Sequence, residues 1–295
     1  MLLRNSKILA QIKLQFVAGF INFAVILKLF NMLKTFFLIS FLALSSFCSA
    51  QPQTISAEIA QDTRTVFFSL VSSAENSSLD FNAQYAYIED IGDGRGYTAG
   101  VIGFTSGTGD MIEVVKRYVA LKPKNNPLKK YIPALEKVNG SPSHDGLGDA
   151  FVKAWKTASK DAEMIAAQDS VLNAMYYNPA MYYAQKDGLS TLGAFIYYDA
   201  LVVHGPGEDE DSFGGIRKAA LAKSNPPSAK GDETEWFNTF LAARTIVMKK
   251  ETAHSDLSRI STQQKFIAEK NFSLTLPLSW NMYGDKFILT RKKND

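Results

Sequence analysis

The pattern of apolar and polar positions after residue 50 predicts one long helix, then a small sheet, then a series of helices. Apolar residues recur at near-helical spacing from Ile55 to Ala74 and predict a first helix that ends near Glu75. Thr54 or Ser56 would serve as its N-cap, because a side-chain oxygen at that position accepts a backbone N–H. The polar run after Glu75 ends the helix.

A small, sharply turned sheet is predicted directly after this helix. Short aromatic or β-branched segments are separated there by glycines at positions 92, 94, 96 and 100. Glycine permits the tight turns that join short strands. The predicted strands cover residues 85–88, 97–98 and 101–104.

Beyond residue 110 the apolar spacing is mainly helical, and a brief final strand is predicted at 286–290. The apolar segment 179–203 is expected to form a central buried helix, and Asp232 is a suitable N-cap for the last helix. The predicted helices cover 111–121, 128–137, 149–159, 161–177, 179–203, 213–223 and 232–250. This order fits a mainly α (α+β), lysozyme-like fold of two lobes, with the small sheet in one lobe and a cleft between the lobes.

Composition sets the first fifty residues apart, since they contain five basic residues and no acidic one. Residues 32–50 combine a lysine, an apolar run and a small-residue end, which is typical of a secretory signal peptide cleaved after Ala50. The apolar run is shorter than the roughly 20 residues of a spanning helix, which argues against a membrane anchor. Residues 1–31 form a second, weaker basic and apolar run ahead of this signal peptide. A start codon assigned too early, with Met32 as the true start, explains this arrangement, and a longer, anchored leader is the alternative. Residues 51–295 are therefore expected to form one secreted, extracellular domain.

Charge and cysteine content exclude several classes of function. The chain carries a formal charge of +3, but 27 of its 32 basic residues and all 29 acidic residues lie after Ala50, so the exported domain is slightly acidic. No basic stripe remains for nucleic acid. The only cysteine, Cys48, lies in the leader, and none of the three histidines has ligand spacing, so no metal or other cofactor is predicted. The acidic run 208–211 is interpreted as a solvated loop that could bind a cation.

Glu75 is the first candidate for chemistry. No serine lies in a nucleophile elbow, and the glycine-rich segment 103–109 lacks the lysine of a phosphate-binding loop. Glu75 follows apolar residues at a helix end, where partial burial would keep a proton on the carboxyl near neutral pH, as a general acid needs. The alternative is a solvated glutamate at a helix end.

Asp93 is the second candidate, and it lies in the segment Gly-Asp-Gly-Arg-Gly. Glycines let a substrate approach the backbone closely, and Asp93 could there deprotonate a water molecule that Thr98 holds. An ordinary β-turn aspartate is the alternative. Because Glu75 and Asp93 lie on different elements, they can face each other across a groove, as the two carboxylates of a glycosidase do.

Three further candidates, Asp110, Asp199 and His204, can each be explained by a structural role. Asp110 could cap the helix that begins at residue 111. Asp199 lies in the predicted buried helix and needs a partner, because an isolated buried charge is costly; Arg244 and Arg259 are candidates. His204 ends that helix and is interpreted as a packed or capping residue rather than a base.

Long stretches of the chain resemble the family 46 glycoside hydrolases, the bacterial chitosanases. The resemblance is carried by LVSSAENSSLDFNAQYAYIEDIGDGRGYTAGVIGFTSGTGDM and continues in LEKVNGSPSHDGLG, GAFIYYDALVVHGPG, SFGGIRK, GDETEWFN and SWNMYGD. It covers nearly the whole chain after residue 50.

The resemblance implies an inverting endo-hydrolase that cleaves β-1,4-linked glucosamine polymers, with chitosan and glucosamine oligosaccharides as its partners. A monomer is expected. Glu75 matches the family's general acid, Asp93 its general base, and Thr98 the threonine that helps to hold the attacking water. A muramidase or chitinase on the same fold and a secreted sugar-binding protein without turnover are the alternatives. The other candidates are Arg95, Asp110, Tyr87, Glu251 and His204 for substrate binding, and Asp199, Arg244 and Arg259 for a buried ionic network behind the cleft.

Overall fold

The computed structural model describes residues 53–59, 62–250 and 256–292, most of which are helical. The predicted leader lies outside them. Short 3₁₀ turns cover Phe81–Ala86, Lys129–Tyr131 and Pro227–Ala229, and a π-turn covers Asn173–Tyr177. The helices are α1 (Thr63–Asn76), α2 (Asp110–Leu121), α3 (Ile132–Val138), α4 (Gly148–Ala158), α5 (Ala162–Leu172), α6 (Asn178–Asp187), α7 (Thr191–His204), α8 (Phe213–Leu221), α9 (Glu233–Met248) and α10 (Ser258–Ala268).

Two three-stranded sheets accompany these helices in the described part of the chain. The strands are β1 (Thr54–Ile59), β2 (Ile88–Asp90), β3 (Tyr97–Ala99), β4 (Phe104–Thr105), β5 (Leu278–Met282) and β6 (Asp285–Arg291). The first sheet has the order β1-β6-β5, with β1 parallel and β5 antiparallel to β6. The second sheet is an antiparallel meander, β2-β3-β4.

The prediction of one helix from residue 55 to Glu75 was wrong in its first part. Residues 54–59 form β1, which pairs in parallel with β6 near the other end of the chain. Helix α1 begins only after Asp62, whose carboxylate accepts a hydrogen bond from the backbone N–H of Thr65 at 2.9 Å. Apolar positions in β1 continue the helical spacing of α1 by coincidence, so a local pattern could not separate the two elements.

The predicted helix 179–203 is two helices. Gly188 ends α6 in the left-handed conformation, with φ of 73°, and α7 starts after Ser190. A Cβ atom at residue 188 would lie 3.0 Å from the backbone nitrogen of Ser228, so glycine also permits the close approach of a neighbouring loop. The expected central buried helix is α7, in which every residue from Leu192 to Leu201 is buried.

The meander begins later in the sequence than predicted, because residues 81–86 form a 3₁₀ turn. The carboxylate of Asp80 caps this turn by accepting the backbone N–H groups of Asn82 and Ala83. β2 and β3 pair Glu89 with Thr98 and Asp90 with Tyr97, and the 91–96 loop joins them.

Near the C-terminus β6 confirms the strand predicted at 286–290, whereas α10 and β5 had no predicted counterpart. α10 contacts both α9 and β5, so these three elements pack together. Among the described residues, none of the helices combines the length and the apolar character needed to cross a bilayer.

Candidate active site

The 91–96 loop positions Asp93 at the end of the meander. Gly92, Gly94 and Gly96 all have positive φ, at 72°, 81° and 75°, which a residue with a Cβ rarely adopts. The side chain of Asp93 is only 11% exposed, and Arg95 binds it twice. The Arg95 Nε donates to Asp93 Oδ2 at 2.8 Å, and the Arg95 backbone N–H donates to Oδ1 at 3.0 Å. The guanidinium therefore balances the charge of Asp93 and fixes its orientation.

Asp93 and Arg95 line a cleft of about 990 Å³. Asp110, Tyr176 and His204 also line it, together with most of the segment 205–212. Two residues of the acidic run 208–211, Asp209 and Asp211, also face the cleft, which the sequence alone did not indicate. The cleft therefore carries four carboxylates, a composition that favours a cationic ligand.

Asp110 is the first residue of α2 and is buried. Its Oδ1 accepts the backbone N–H groups of Thr105 and Met111, each at 2.8 Å. The expected capping role was wrong, because the N-cap position is Gly109 and Asp110 already lies within the helix, where it binds the N–H of the next residue. Its Oδ2 accepts the hydroxyl of Tyr176 at 3.1 Å. Burial raises the pKa of Asp110, although these hydrogen bonds partly offset the effect. Asp110 thus joins β4 to α2 at the wall of the cleft.

Glu75 lies in the last turn of α1, and Ser77 ends the helix in the left-handed conformation. The side chain of Glu75 is 28% exposed and forms an ion pair with Arg259. The sequence had indicated an apolar environment for Glu75; the structure supplies a cation instead, from a residue 184 positions away. Glu75 is not among the residues that line the 990 Å³ cleft.

Asp199 is the centre of a buried ionic network behind Glu75. Its Oδ1 accepts Arg259 at 2.5 Å, and its Oδ2 lies 2.6 Å from Arg244. Gln263, which sequence reasoning missed, donates to Oδ2 at 2.8 Å. Burial alone would raise the pKa of Asp199, but the charges of Arg259 and Arg244 outweigh it and lower the pKa to about 2. The partners expected for Asp199 are therefore both present.

The network reaches the cleft through His204. The Arg244 Nε donates to the His204 Nε2 at 3.2 Å. His204 itself lines the cleft at the end of α7. One continuous set of side chains thus connects Glu75, the core and the cleft wall.

Tyr87 lies near both Glu75 and Asp93. Its hydroxyl donates to Glu89 Oε2 at 3.3 Å. Burial raises the pKa of Tyr87, and the charges of Glu89, Glu75 and Asp93 raise it further. Because the charges of Glu75 and Asp93 both act on this phenol, the two candidate catalytic carboxylates lie near the same side chain.

Thr98 lies on β3, opposite Glu89 and Thr105. Its Oγ1 is buried and has no hydrogen-bond partner among the described residues. A buried hydroxyl without a partner is costly unless a water or ligand satisfies it. Glu251, the remaining predicted substrate contact, lies outside the described residues. Within the described residues, no group of side chains is arranged to hold a metal ion.

Paired carboxylates on separate elements beside an acidic cleft are typical of glycoside hydrolases. The chain matches glycosyl hydrolase family 46 over residues 69–278 and belongs to that family. It is 55% identical over 227 residues to a chitosanase of Streptomyces sp. (strain N174), covering 77% of this chain and 81% of the relative.

Solved structures agree with this assignment. A co-crystal structure of a chitosanase with substrate has a TM-score of 0.76 at 52% identity, covering 79% of this chain and 100% of that one. A family 46 chitosanase of Gynuella sunshinyii in complex with chitotetraose has a TM-score of 0.73 at 32% identity, covering 80% and 100%. These neighbours have the lysozyme-like fold, so the predicted mainly helical fold class is confirmed.

Proposed function

We propose that this protein is an endo-acting chitosanase that hydrolyses β-1,4 bonds between glucosamine units with inversion at the anomeric carbon. The observation that carries the proposal is that two carboxylates lie on separate elements near Tyr87: Glu75 at the end of α1, paired with Arg259, and Asp93 in the 91–96 loop, paired with Arg95. The family membership and the named activity of its relatives support the substrate class.

The charge of the cleft also supports this substrate. Chitosan is a polycation when its amines are protonated. Asp110, Asp209 and Asp211 line the cleft together with Asp93, and their negative field would attract such a polymer. Arg95 is paired with Asp93 and Lys250 with Asp211, which leaves the exposed Asp209 as the carboxylate best placed to face a sugar amine.

In the proposed mechanism, Glu75 donates a proton to the glycosidic oxygen, and Asp93 removes a proton from the attacking water. The water approaches the face of the sugar opposite the leaving group, so the configuration inverts. Such enzymes need carboxyl groups roughly 6.5–9.5 Å apart to leave room for this water. The unpartnered Oγ1 of Thr98 supports its role in holding the water.

Arg259 has a defined part in this scheme. One of its nitrogens binds Glu75 and another binds Asp199 at 2.5 Å. Asp199 therefore shares the positive charge that Arg259 presents to Glu75. Arg259 thus joins the candidate acid to the buried network and holds its carboxylate in place at the end of α1.

Anomeric proton NMR of fresh digests of glucosamine hexamer tests the reaction. An initial α product would support inversion with Asp93 as the base, and an initial β product would overturn that assignment. Cleavage of N-acetylated sugars but not of glucosamine oligomers would favour a muramidase or chitinase instead.

Substitution tests the two roles. We expect Glu75→Gln and Asp93→Asn each to lower kcat at least about 100-fold, because general acid–base catalysis contributes factors of that size. Glu113→Gln, at an exposed acid on α2, should keep full activity. Retained binding of glucosamine hexamer by Glu75→Gln, with loss of turnover, would exclude a sugar-binding protein without catalysis. Unchanged turnover in Glu75→Gln would overturn its role.

We also propose that the protein is secreted as a monomer after cleavage following Ala50. The support is the signal-like composition of residues 32–50. N-terminal sequencing of protein from the culture medium should begin at Gln51, and light scattering should give the mass of a single chain. Retention of the full chain in a membrane fraction would contradict the proposal.

A further inference from the structure

His144 contacts both residues that close the 91–96 loop. β2 ends at Asp90 and β3 begins at Tyr97, and these two residues are paired in register. The imidazole of His144 stacks on the ring of Tyr97, with centroids 4.1 Å apart and planes inclined by 22°. Its Nε2 lies 3.5 Å from Asp90 Oδ2. One side chain from outside the meander thus touches both ends of the loop that carries Asp93.

The contact between His144 and Asp90 depends on charge. The His144 Nε2 is buried and has no hydrogen-bond partner among the described residues. A separation of 3.5 Å from a carboxylate is an ion pair when the imidazole is protonated and a weak contact when it is neutral. Asp90 transmits this contact to the loop, because its Oδ1 accepts the backbone N–H of Gly92 at 2.8 Å.

The segment that carries His144 is itself fixed against the 91–96 loop. The backbone N–H of Gly107 donates to the carbonyl of Arg95 at 2.9 Å, and that of Gly140 donates to the carbonyl of Gly107 at 2.8 Å. A Cβ atom at residue 107 would lie 2.6 Å from the carbonyl oxygen of Ser141. Because the two backbones are this close, His144 is held in place beside Asp90.

We propose that His144 is a positioning residue for the reaction: its imidazole contacts Asp90 and Tyr97 and holds the 91–96 loop so that Asp93 faces the attacking water. The inference rests on the proposed function, in which Asp93 is the base. His144 touches neither substrate nor reacting atoms. It acts through Asp90 and the backbone of Gly92.

The charged surroundings of His144 are mainly acidic. Asp90 faces it from β2, and the charge of Asp149, at the start of α4, acts together with that of Asp90 on the phenol of Tyr97. Asp145, next in sequence, is paired with Lys137. A positive charge at residue 144 would therefore interact favourably with Asp90.

Two substitutions of His144 separate charge from packing. His144→Gln places an uncharged side chain at residue 144, and we expect kcat on glucosamine hexamer at pH 5.5 to fall about ten-fold with KM changed less than two-fold, since small misplacements of a catalytic group are costly. His144→Arg has a positive charge and a planar group over Tyr97, so it should restore kcat.

Asp90→Asn tests the partner, because the amide oxygen still accepts the N–H of Gly92 while the charge is lost. Asp90→Asn should lower kcat as His144→Gln does. The kcat of the variant with both substitutions should be no lower than that of the less active single variant. The matched control is Lys137→Gln, which removes the exposed ion pair with Asp145 in the same segment and should change neither kcat nor the pH profile.

Hydrogen exchange gives a readout independent of turnover. At pH 5.5 the amides of the 91–96 loop should exchange faster in His144→Gln than in the wild type, at equal melting temperature. Unchanged exchange, additive effects in the double variant, or failure of His144→Arg to restore kcat would overturn the proposal. A wild type that does not cleave the hexamer would instead refute the proposed function, and the exchange experiment would still decide whether His144 holds the loop.

Discussion

At the scale of single residues, Asp199 illustrates how a buried charge is retained. It lies in the fully buried part of α7, where an isolated carboxylate would be strongly destabilising. Arg259 and Arg244 neutralise it at 2.5 and 2.6 Å, and Gln263 occupies a further acceptor position. Since Arg259 also binds Glu75, the residue that stabilises the core also holds the candidate acid.

This arrangement predicts a specific pH dependence of stability. The pKa of Asp199 is lowered from 3.8 to about 2 in the folded protein, so its contribution is complete above pH 3.8 and is lost as the pH falls towards 2. The difference corresponds to about 2 kcal/mol. Urea unfolding at pH 7 should show that Asp199→Asn costs about 3–5 kcal/mol, because it leaves the arginines buried without their partner.

The gap in unfolding free energy between wild type and Asp199→Asn should narrow as the pH is lowered from 4 to 2. Asp145→Asn, at an aspartate whose side chain is 67% exposed, provides the control and should follow the wild type. A constant gap over this range would contradict the role assigned to Asp199.

At the scale of elements, the start of α1 depends on one side chain. Asp62 accepts the N–H of Thr65 and fixes where the helix that carries Glu75 begins. Asp232 does the same for α9 through the N–H of Glu235 at 2.9 Å, as the sequence predicted. By contrast, the Ser190 side chain makes no capping hydrogen bond at the start of α7.

These caps predict different costs on substitution. Asp62→Ala and Asp232→Ala should each lower the unfolding free energy by about 1 kcal/mol, because each leaves a helix N–H without an acceptor. Ser190→Ala should cost much less. Chemical denaturation of the three variants measures this order, and an equal cost for all three would contradict the capping argument.

At the scale of the whole molecule, the cleft is assembled from segments that are far apart in the sequence. The meander contributes Asp93, α2 contributes Asp110, and the segment after α7 contributes Asp209 and Asp211. Each of these acids has an ordinary local explanation as a residue of a turn, a helix start or a loop. Only their convergence produces a negative field over one groove.

This convergence predicts salt-sensitive binding of a cationic substrate. Raising NaCl from about 0.02 M to about 0.5 M should increase KM for glucosamine hexamer several-fold with little change in kcat, because salt screens exposed charges. Asp209→Asn should raise KM at low salt and reduce this sensitivity. Glu269→Gln, which removes the same charge from the exposed pair with Lys265, should behave like the wild type. A KM independent of salt would refute the electrostatic argument.

The sequence by itself determined the features that depend on near neighbours. Helical spacing identified α2 to α5, α8 and α9, and Asp232 was recognised as a cap because capping involves residues three apart. The glycines of the 91–96 loop indicated a tight turn around Asp93, since positive φ is a local property. The motifs of the resemblance identified the family, which the comparisons confirmed.

Tertiary structure alone decided the features that depend on distant partners. The apolar residues of β1 are compatible with a helix, and only their pairing with β6 makes them a strand. Helical spacing on both sides of Gly188 likewise hid the break between α6 and α7. Arg259 reaches Glu75 across 184 positions, and no periodicity encodes such a contact. Local patterns report which conformation a segment favours. The energy of long-range pairing and burial then selects which surfaces meet, and with them the environment of each carboxylate.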